Sequence, residues 1–440
     1  MILLKKVIII IFISIFGLLL ISSAVLYLLA SNGPNMINDA LTEEVNIILP
    51  KSEEFKVTST AKGDNQIKLS RLNNDVFTYY LDNSNCFDPN ARGNDKTLQL
   101  IRIKEDGTYS IFDSIPVWMH GNVLTDETRN LIYYTTYEEV LVEGVYYSSV
   151  KIYTYHIEGD VISLINTHTL ADDQNIVEES NPRVGAHIDA LGNLAIAFGN
   201  YHGVMFVHVY DASNDLWIKH EIIHYLDTYE GDSNLYPYVR LNGINQIRVV
   251  ASRDTSKDEY GQSYPNPARD YTRYFQYNGT EWTHFILSDL RDESTPDNLL
   301  SATPGELYFD SDFNTHVIVN ENHHFTYYII DSESNVTIKE LPKLTMETLI
   351  TFIRIVQINN QLYYVVSGNG LHGFSISGYL EIYDYETNKL LYRNNSVCKT
   401  PYIFISNRND SDYLDIMVIS RDKDYEKNSE TVYIQLSLNS

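Results

Sequence analysis

The 440-residue sequence contains only two cysteines and is short of positive charge. Cys86 and Cys398 do not form a CxxC pair, which excludes a thioredoxin-type motif and a CxxC zinc site. The two thiols either pair in an oxidising compartment or stay unpaired.

Lysine and arginine total 32 against 58 acidic residues, which gives a formal net charge of −26. Because nucleic-acid binding needs a basic surface, this charge argues against nucleic acid as a partner.

Motifs of the common catalytic and metal-binding classes are also missing. The sequence has no HExxH, no serine nucleophile elbow, no Walker-type loop and no EF-hand loop. Acidic turns do occur, as in Asp310–Asp312 and Asn409–Asp412, and aspartate and asparagine are common turn formers. We therefore predict no cofactor and no metal site, with a structural calcium ion in an acidic turn as the alternative.

One long apolar run is present, from Val7 to Ala30, and Lys5 and Lys6 precede it. It is long enough to cross about 30 Å of hydrocarbon and exceeds the ~7–15 residues of a cleaved signal. We predict a transmembrane signal-anchor within residues 1–30, with cleavage after Ala24 as the alternative. The lysines predict a cytoplasmic amino terminus, which places the rest of the chain outside the cell membrane. Residues 31–53 are interpreted as a juxtamembrane linker with one short helix around Asn38–Ile47.

Beyond residue 54 the chain repeats a pattern in which a strand ends in an apolar or aromatic residue and a polar turn follows. The pattern recurs at intervals of 52 to 67 residues, at Ile103, Tyr155, Tyr210, Tyr277, Ile330, Tyr383 and Leu436. A period of about 50 residues with four short strands per unit is typical of a β-propeller. The predicted fold is therefore an all-β, seven-bladed β-propeller of four-stranded antiparallel blades over residues 54–440, and an irregular array of β-sandwiches is the alternative.

The last unit ends before its fourth strand. Its strands are expected near 401–406, 413–420 and 431–438, after which the chain runs out. Glu54–Thr60, just before the first unit, is predicted to supply the missing strand and so remove an open sheet edge.

One face of the predicted propeller gathers arginine, histidine and tyrosine. With strands lettered A to D outward from the channel, the B–C and D–A loops share this face, here called the loop face. Such groups suit an anionic or polyhydroxyl ligand, although each of them can equally pack locally. The fourth B–C loop carries an insertion, Thr255–Asp270, that we expect either to cover the channel mouth or to be a tolerated surface loop. The candidate ligand-binding residues are His120, Arg183, Tyr238, Tyr260, Tyr264, His324 and His372.

Several stretches resemble BNR-repeat, sialidase-like propellers: Asn181–Leu194, Gly199–Gly203, Tyr236-Pro237, Ala251–Asp254 and the Trp282 strand after Asn278–Thr280. True Asp-boxes are absent. Within that superfamily the layout is most similar to the seven-bladed polysaccharide lyases.

The resemblance implies that His202, Tyr236 and Arg253 are catalytic residues for β-elimination from a uronic-acid polymer. Arg253 would neutralise the carboxylate, and His202 or Tyr236 would remove the neighbouring proton. Because Asn181-Pro182 lacks the neighbouring histidine of those lyases, the first hypothesis is a membrane-anchored propeller that binds a glycan or protein ligand. A lyase-like enzyme and a structural propeller are the alternatives.

Overall fold

The computed structural model describes residues 36–37, 41–49, 67–82, 96–117, 121–142, 145–170, 184–199, 204–223, 232–257, 263–268, 271–290, 302–310, 312–321, 324–341, 350–358, 361–372, 375–397, 401–406, 412–420 and 431–438. All regular elements in these ranges are β-strands. The described residues include no helix long and apolar enough to cross a membrane. The predicted membrane segment, Val7–Ala30, lies outside these ranges.

The strands form seven antiparallel sheets, of which five are built from consecutive strands alone. The first strands, β1 (Met36–Ile37) and β2 (Leu41–Ile48), join the last two sheets. Blade 1 has β3 (Leu69–Leu72), β4 (Asp75–Asp82), β5 (Lys96–Ile103) and β6 (Tyr109–Val117). Blade 2 has β7 (Val123–Asp126), β8 (Leu131–Val142), β9 (Val145–Glu158) and β10 (Val161–Leu170). Blade 3 has β11 (Gly185–Ile188), β12 (Leu194–Gly199), β13 (Val204–Asp211) and β14 (Leu216–Ile223).

The remaining blades follow the same plan. Blade 4 has β15 (Asp232–Leu241), β16 (Ile247–Lys257), β17 (Ser263–Ala268), β18 (Tyr271–Tyr277) and β19 (Trp282–Asp289). Blade 5 has β20 (Ala302–Phe309), β21 (Thr315–Glu321), β22 (His324–Ile330) and β23 (Val336–Lys339). Blade 6 has β24 (Ile350–Ile358), β25 (Gln361–His372), β26 (Ser375–Asp384) and β27 (Leu390–Val397). Blade 7 has β28 (Pro401–Ile405), β29 (Tyr413–Ser420) and β30 (Thr431–Leu438), completed by β2. The predicted seven-bladed propeller is confirmed.

Apolar side chains bury both faces of each sheet against the neighbouring blades. Between blades 3 and 4, for example, Ala197 and Val207 pack with Val239 and Val249. Other clusters join blades 1 and 2, 2 and 3, 4 and 5, and 5 and 6, and one large cluster joins blades 6, 7 and 1. A sheet that is buried on both faces needs apolar residues at successive positions. The strands of this sequence meet that need because they are rich in β-branched and aromatic residues.

Three turns share a five-residue hydrogen-bond pattern that begins with aspartate and ends with asparagine: Asp189–Asn193, Asp310–Asn314 and Asp331–Asn335. The aspartate Oδ1 accepts backbone N–H groups two and four residues ahead, and the asparagine Nδ2 donates to Oδ2. The residue before each asparagine, Gly192, Phe313 or Ser334, has a positive φ. Such a left-handed residue is typical of short hairpin loops. The acidic run at Asp310–Asp312 therefore lies in a hairpin turn, as predicted.

The ring closes with a strand from the amino-terminal part of the chain, but not with the predicted one. Leu41–Ile48 pairs with β30, with Leu41 opposite Leu438 and Ile48 opposite Val432. The prediction of a helix around Asn38–Ile47 is wrong, and part of the predicted 31–53 linker belongs to the propeller. Helix signals there are weak, and the unpaired edge of β30 offers hydrogen bonds that a short isolated helix cannot match. Glu54–Thr60 lies outside the described residues.

A buried ion pair reinforces the contact between blade 7 and blade 1. Arg71 donates through Nε and Nη2 to the two carboxylate oxygens of Asp415, at 2.7 and 2.6 Å. Both side chains are at most 2% exposed. Tyr433 donates to the same carboxylate at 2.7 Å, and the Arg71 backbone N–H donates to Ser406 Oγ at 3.1 Å. Burial opposes the charge of Arg71, but the hydrogen bond and charge of Asp415 outweigh it and raise the arginine pKa.

We expect Asp415→Asn to lower the free energy of unfolding by roughly 3–5 kcal/mol, because it breaks a buried ion pair. Denaturant unfolding of the full chain in detergent measures the change. The matched control is Asp160→Asn, whose exposed carboxylate pairs with Lys104 at 3.0 Å. This control should change stability little, since exposed ion pairs are screened by water and salt. Equal losses in the two variants would contradict the role of the buried pair.

Candidate ligand-binding face and central channel

Three alternating blades extend their B–C hairpins on the loop face. In blade 2, β8 and β9 continue to pair as far as Val142 and Val145, although β7 pairs only up to Tyr134. In blade 6, β24 pairs with β25 only as far as Gly368, whereas β25 and β26 continue to pair as far as His372 and Ser375. In blade 4 the extension is made differently, because β15 and β17 pair with β16 beyond Ser252, where its pairing with β18 ends. Among the described residues, the loop face is therefore raised at blades 2, 4 and 6.

The insertion in blade 4 contains a strand. This strand, β17, pairs with β16: Ala268 lies opposite Thr255, and Ser263 lies opposite Lys257. It lies on the side of β16 away from the inner strand β15. The described part of Thr255–Asp270 thus continues the blade outward and does not cross the channel mouth. Tyr264 is within β17, and Tyr260 lies outside the described residues.

Two of the three proposed catalytic residues lie in one hairpin. Arg253 is in β16, opposite Asn234 of β15. The register shifts between Leu235 and Tyr238, which places Tyr236 and Pro237 in a β-bulge close to Arg253 along the sheet. Bulges commonly re-aim side chains next to active sites. The third residue, His202, lies outside the described residues.

Blade 3 fixes this bulge in place through a glycine. A Cβ added at Gly185 of β11 would lie 2.0 Å from the carbonyl oxygen of Pro237. Only a residue without a side chain permits this approach, so the backbone of β11 packs directly on the bulge. The bulge position is therefore set by the packing of blade 3 on blade 4.

The other predicted residues are distributed unevenly. His324 is exposed at the start of β22, opposite Glu321, at the loop-face end of blade 5. His372 is at the tip of the blade 6 hairpin, opposite Ser375. Tyr238 is only 3% exposed and lies in the interior. His120 and Arg183 lie outside the described residues.

An arginine from blade 6 joins four blades at the channel. Arg354 donates through Nη1 to the carbonyl oxygen of Gly305 in blade 5 and to the hydroxyl of Tyr238 in blade 4, the latter at 3.3 Å. Its Nε donates to the carbonyl oxygen of Ile403 in blade 7 at 3.4 Å. The guanidinium also lies over the Tyr238 ring, 5.8 Å from its centroid. Tyr238, predicted to bind ligand, thus contacts a partner within the protein.

A second arginine and a glutamate extend this cluster. Arg240 Nη2 lies 3.3 Å from Glu306 Oε1, and Arg354 Nη1 lies 3.9 Å from Glu306 Oε2. Burial lowers the pKa of Arg240, and the negative charge of Glu306 partly offsets this decrease. The backbone N–H of Leu241 donates to His187 Nδ1 at 3.2 Å. These side chains lie on the inner strands of blades 3 to 6 and contribute polar groups to this part of the channel interior.

Arg240, Glu306, Arg354 and His187 were not among the predicted site residues. A signal was present in two inner strands, where a charged residue interrupts an apolar run. Arg240 stands between Val239 and Leu241, and Arg354 stands between two isoleucines. A charge at a buried strand position needs a partner, so such residues predict a polar cluster.

No family model matches the sequence, and no curated protein matches it. Among solved structures, the chain is similar to polysaccharide lyase Uly1, with a TM-score of 0.48 and 10% identity over 92% of this chain and 100% of that chain. A catalytically inactive virginiamycin B lyase from Staphylococcus aureus, solved with quinupristin, gives a TM-score of 0.47 and 10% identity over 91% and 99%. The β-propeller domain of the trilobed protease from Pyrococcus furiosus gives 0.41 and 9% over 80% and 90%. At these identities the likeness concerns the fold and not the substrate.

We expect His187 to make the protein less stable in mild acid. Desolvation and the charge of Arg240 lower the pKa of His187 well below its usual range. Below about pH 6.5 the unfolded chain binds a proton that the folded chain does not, so stability falls by up to about 1.4 kcal/mol per pH unit. The variant His187→Asn keeps an acceptor but does not titrate. Between pH 7 and pH 5 the wild type should lose more unfolding free energy than the variant, and parallel losses would contradict this assignment.

Proposed function

We propose that the chain is a membrane-anchored, extracytoplasmic propeller that binds an acidic glycan on the loop face of blade 4. The observation that supports this most is the β-bulge at Tyr236-Pro237, held by Gly185 beside the strand position of Arg253. A tyrosine offers a flat face for a sugar ring, and an arginine offers a planar fork for a carboxylate. The resemblance of the same stretches to BNR-repeat propellers agrees with a carbohydrate ligand. The apolar run Val7–Ala30 supports the membrane anchor.

The composition of β17 favours a glycan over an extended peptide. A peptide partner commonly binds a sheet by adding a strand to its free edge. The free edge of blade 4 at the insertion contains Pro265 and Pro267 within β17. Proline lacks a backbone N–H and is one of the devices that prevent strand addition.

A second candidate function is a polysaccharide lyase-like reaction at the same place. The specific observation in its favour is that Tyr236 and Arg253 lie on adjacent strands of one hairpin. In this reaction Arg253 would neutralise a uronate carboxylate, and Tyr236 or His202 would remove the proton next to it. The C–O bond to the leaving sugar then breaks as a tyrosine hydroxyl protonates the leaving oxygen, and a carbon–carbon double bond forms.

A glycan-binding screen of the full chain in detergent tests both functions. We expect saturable binding of uronic-acid glycans that weakens about tenfold to a hundredfold in Arg253→Ala, because a charge-assisted contact contributes roughly 1.5–3 kcal/mol. Replacing residues 258–270 with a short Gly-Ser turn should weaken binding, because β17 pairs with β16 two residues beyond Arg253. The melting temperature should change by only a few degrees, since β16 and β18 remain. Lys104→Ala, on the opposite face, is the matched control and should bind normally.

The same assay separates binding from catalysis. Steady growth of ultraviolet absorbance from unsaturated sugar ends, lost in Arg253→Ala, would establish the lyase. Binding without such growth supports the binding propeller. If no glycan binds, or if both blade 4 variants bind as well as wild type, the proposed site is wrong.

A further inference from the structure

The outer edge of blade 2 is an open strand edge. β10 pairs with β9 along its length, and no other described strand pairs with its outer side. Residue pairs on antiparallel strands alternate between bonded and non-bonded, so about half of the backbone N–H and C=O groups of β10 point away from β9. Groups of this kind pair with an extended chain when a strand is added to a sheet.

The sequence of β10 lacks the residues that usually protect an edge from strand addition. Val161–Leu170 contains no proline, no glycine and no lysine, arginine, aspartate or glutamate. Three of its apolar side chains are roughly half exposed or more, with Val161 at 63%, Leu164 at 48% and Ile165 at 57%. The register shifts between Leu164 and Asn166, and pairing with β9 continues on both sides of the shift. The strand therefore presents an uncharged and partly apolar edge to water.

The other outer edges carry protective features. Each of them contains a charged residue or a proline, or is partly covered by another strand. The features are Pro116 in β6, Lys219 in β14, Asp289 in β19, Lys339 in β23, Glu43 in β2 and the short strand β1 beside β27. Charges and prolines at an edge oppose the addition of a further strand. Among the described outer strands, β10 is thus the one best suited to accept a partner strand.

A charged cleft at the start of β10 indicates what kind of segment fits this edge. On the opposite face, between blades 1 and 2, an open cleft of about 520 Å³ has four carboxylates and two cations in its lining: Asp75, Glu105, Asp106, Asp160, Arg102 and Lys104. Asp160 immediately precedes β10, and its side chain is 81% exposed.

Two of the carboxylates pair with the two cations, and two remain in excess. Arg102 pairs with Asp75, and Lys104 lies 3.0 Å from Asp160. Glu105 and Asp106 are exposed and accept hydrogen bonds from neutral groups, the side chains of Asn74 and Thr108. A lysine or arginine at the end of an added strand therefore meets negative charge in the cleft.

We propose that β10 accepts an extended segment of another protein, with an uncharged β-branched core and a lysine or arginine near the end that reaches the cleft. A second copy of this chain is a poor partner, because each copy carries a net charge of −26 and the two copies repel each other. The proposal concerns the rim of blade 2 and does not rest on the glycan site of blade 4.

Fluorescence anisotropy with the full chain in detergent tests the proposal. The probe is a fluorescein-labelled peptide with lysines on both sides of an alternating threonine–valine core. We expect saturable binding that weakens at high salt, and that weakens at least about tenfold when glutamates replace the lysines. N-methylation of the core amides removes N–H donors without changing the charge, so we expect it to abolish binding.

The variant Ile165→Lys locates the binding edge. A lysine in an edge strand opposes strand addition, so the lysine-flanked peptide should bind at least about tenfold more weakly. The melting temperature should stay within a few degrees of wild type, because Ile165 is exposed. The matched control is Ile338→Lys, which adds the same charge at a 66% exposed residue of β23 and should bind the peptide as wild type does.

Sedimentation of the wild-type chain distinguishes a second copy from a foreign segment. Self-association that is lost in Ile165→Lys would assign the edge to a second copy and overturn the proposal. Absence of peptide binding would also overturn it, and would indicate that the edge is covered by the chain itself. Equal binding of the N-methylated or glutamate-flanked peptide, or equal responses of the two lysine variants, would contradict the mode, the charge or the location of binding.

Discussion

The ring of seven sheets depends on one contact between distant parts of the chain, the pairing of β2 with β30. Without β2, blade 7 would have three strands and expose the edge of β30, and open edges invite pairing with other chains. The Arg71–Asp415 ion pair lies across the same junction, between blade 1 and blade 7. Closure therefore combines main-chain hydrogen bonds at the rim with a buried ionic contact nearer the channel. Each blade can then rely on a neighbour on both sides to bury its apolar faces.

Closure also determines what the channel can do. The inner strands approach one another closely enough for Arg354 to contact groups from blades 4, 5 and 7. With Arg240 and Glu306 it forms a polar cluster in which one carboxylate partly neutralises two guanidinium groups. Such a cluster is costly to desolvate, and it is stable only because several blades supply partners at once. The interior thus serves the rigidity of the scaffold, and we propose that the hairpins of blades 2, 4 and 6 carry the specificity for a ligand.

The sequence predicted the fold because a propeller repeats a local pattern about every 50 residues. It also predicted that the last blade lacks its outer strand. It did not locate the closing strand, since Leu41–Ile48 has no strong local signal and pairs with residues at the far end of the chain. Tyr238 was assigned to the ligand face, yet it is buried against Arg354, because register and blade packing decide which strand residues face inward. Arg253 and Tyr236 were predicted to act together, and the structure places them in paired strands. The sequence did not predict the bulge that contains Tyr236, because the bulge packs against Gly185 of another blade.

Hydrogen exchange of the full chain, followed by mass spectrometry of its peptides, tests ring closure most directly. If β2 closes the ring, the amides of Leu41–Ile48 exchange as slowly as those of Thr431–Leu438, because the two strands share one ladder of hydrogen bonds. The segment Glu54–Thr60 serves as the internal comparison, since its sequence also suits a closing strand. Fast exchange at 41–48 together with strong protection at 54–60 would contradict closure by β2 and assign it to the later segment.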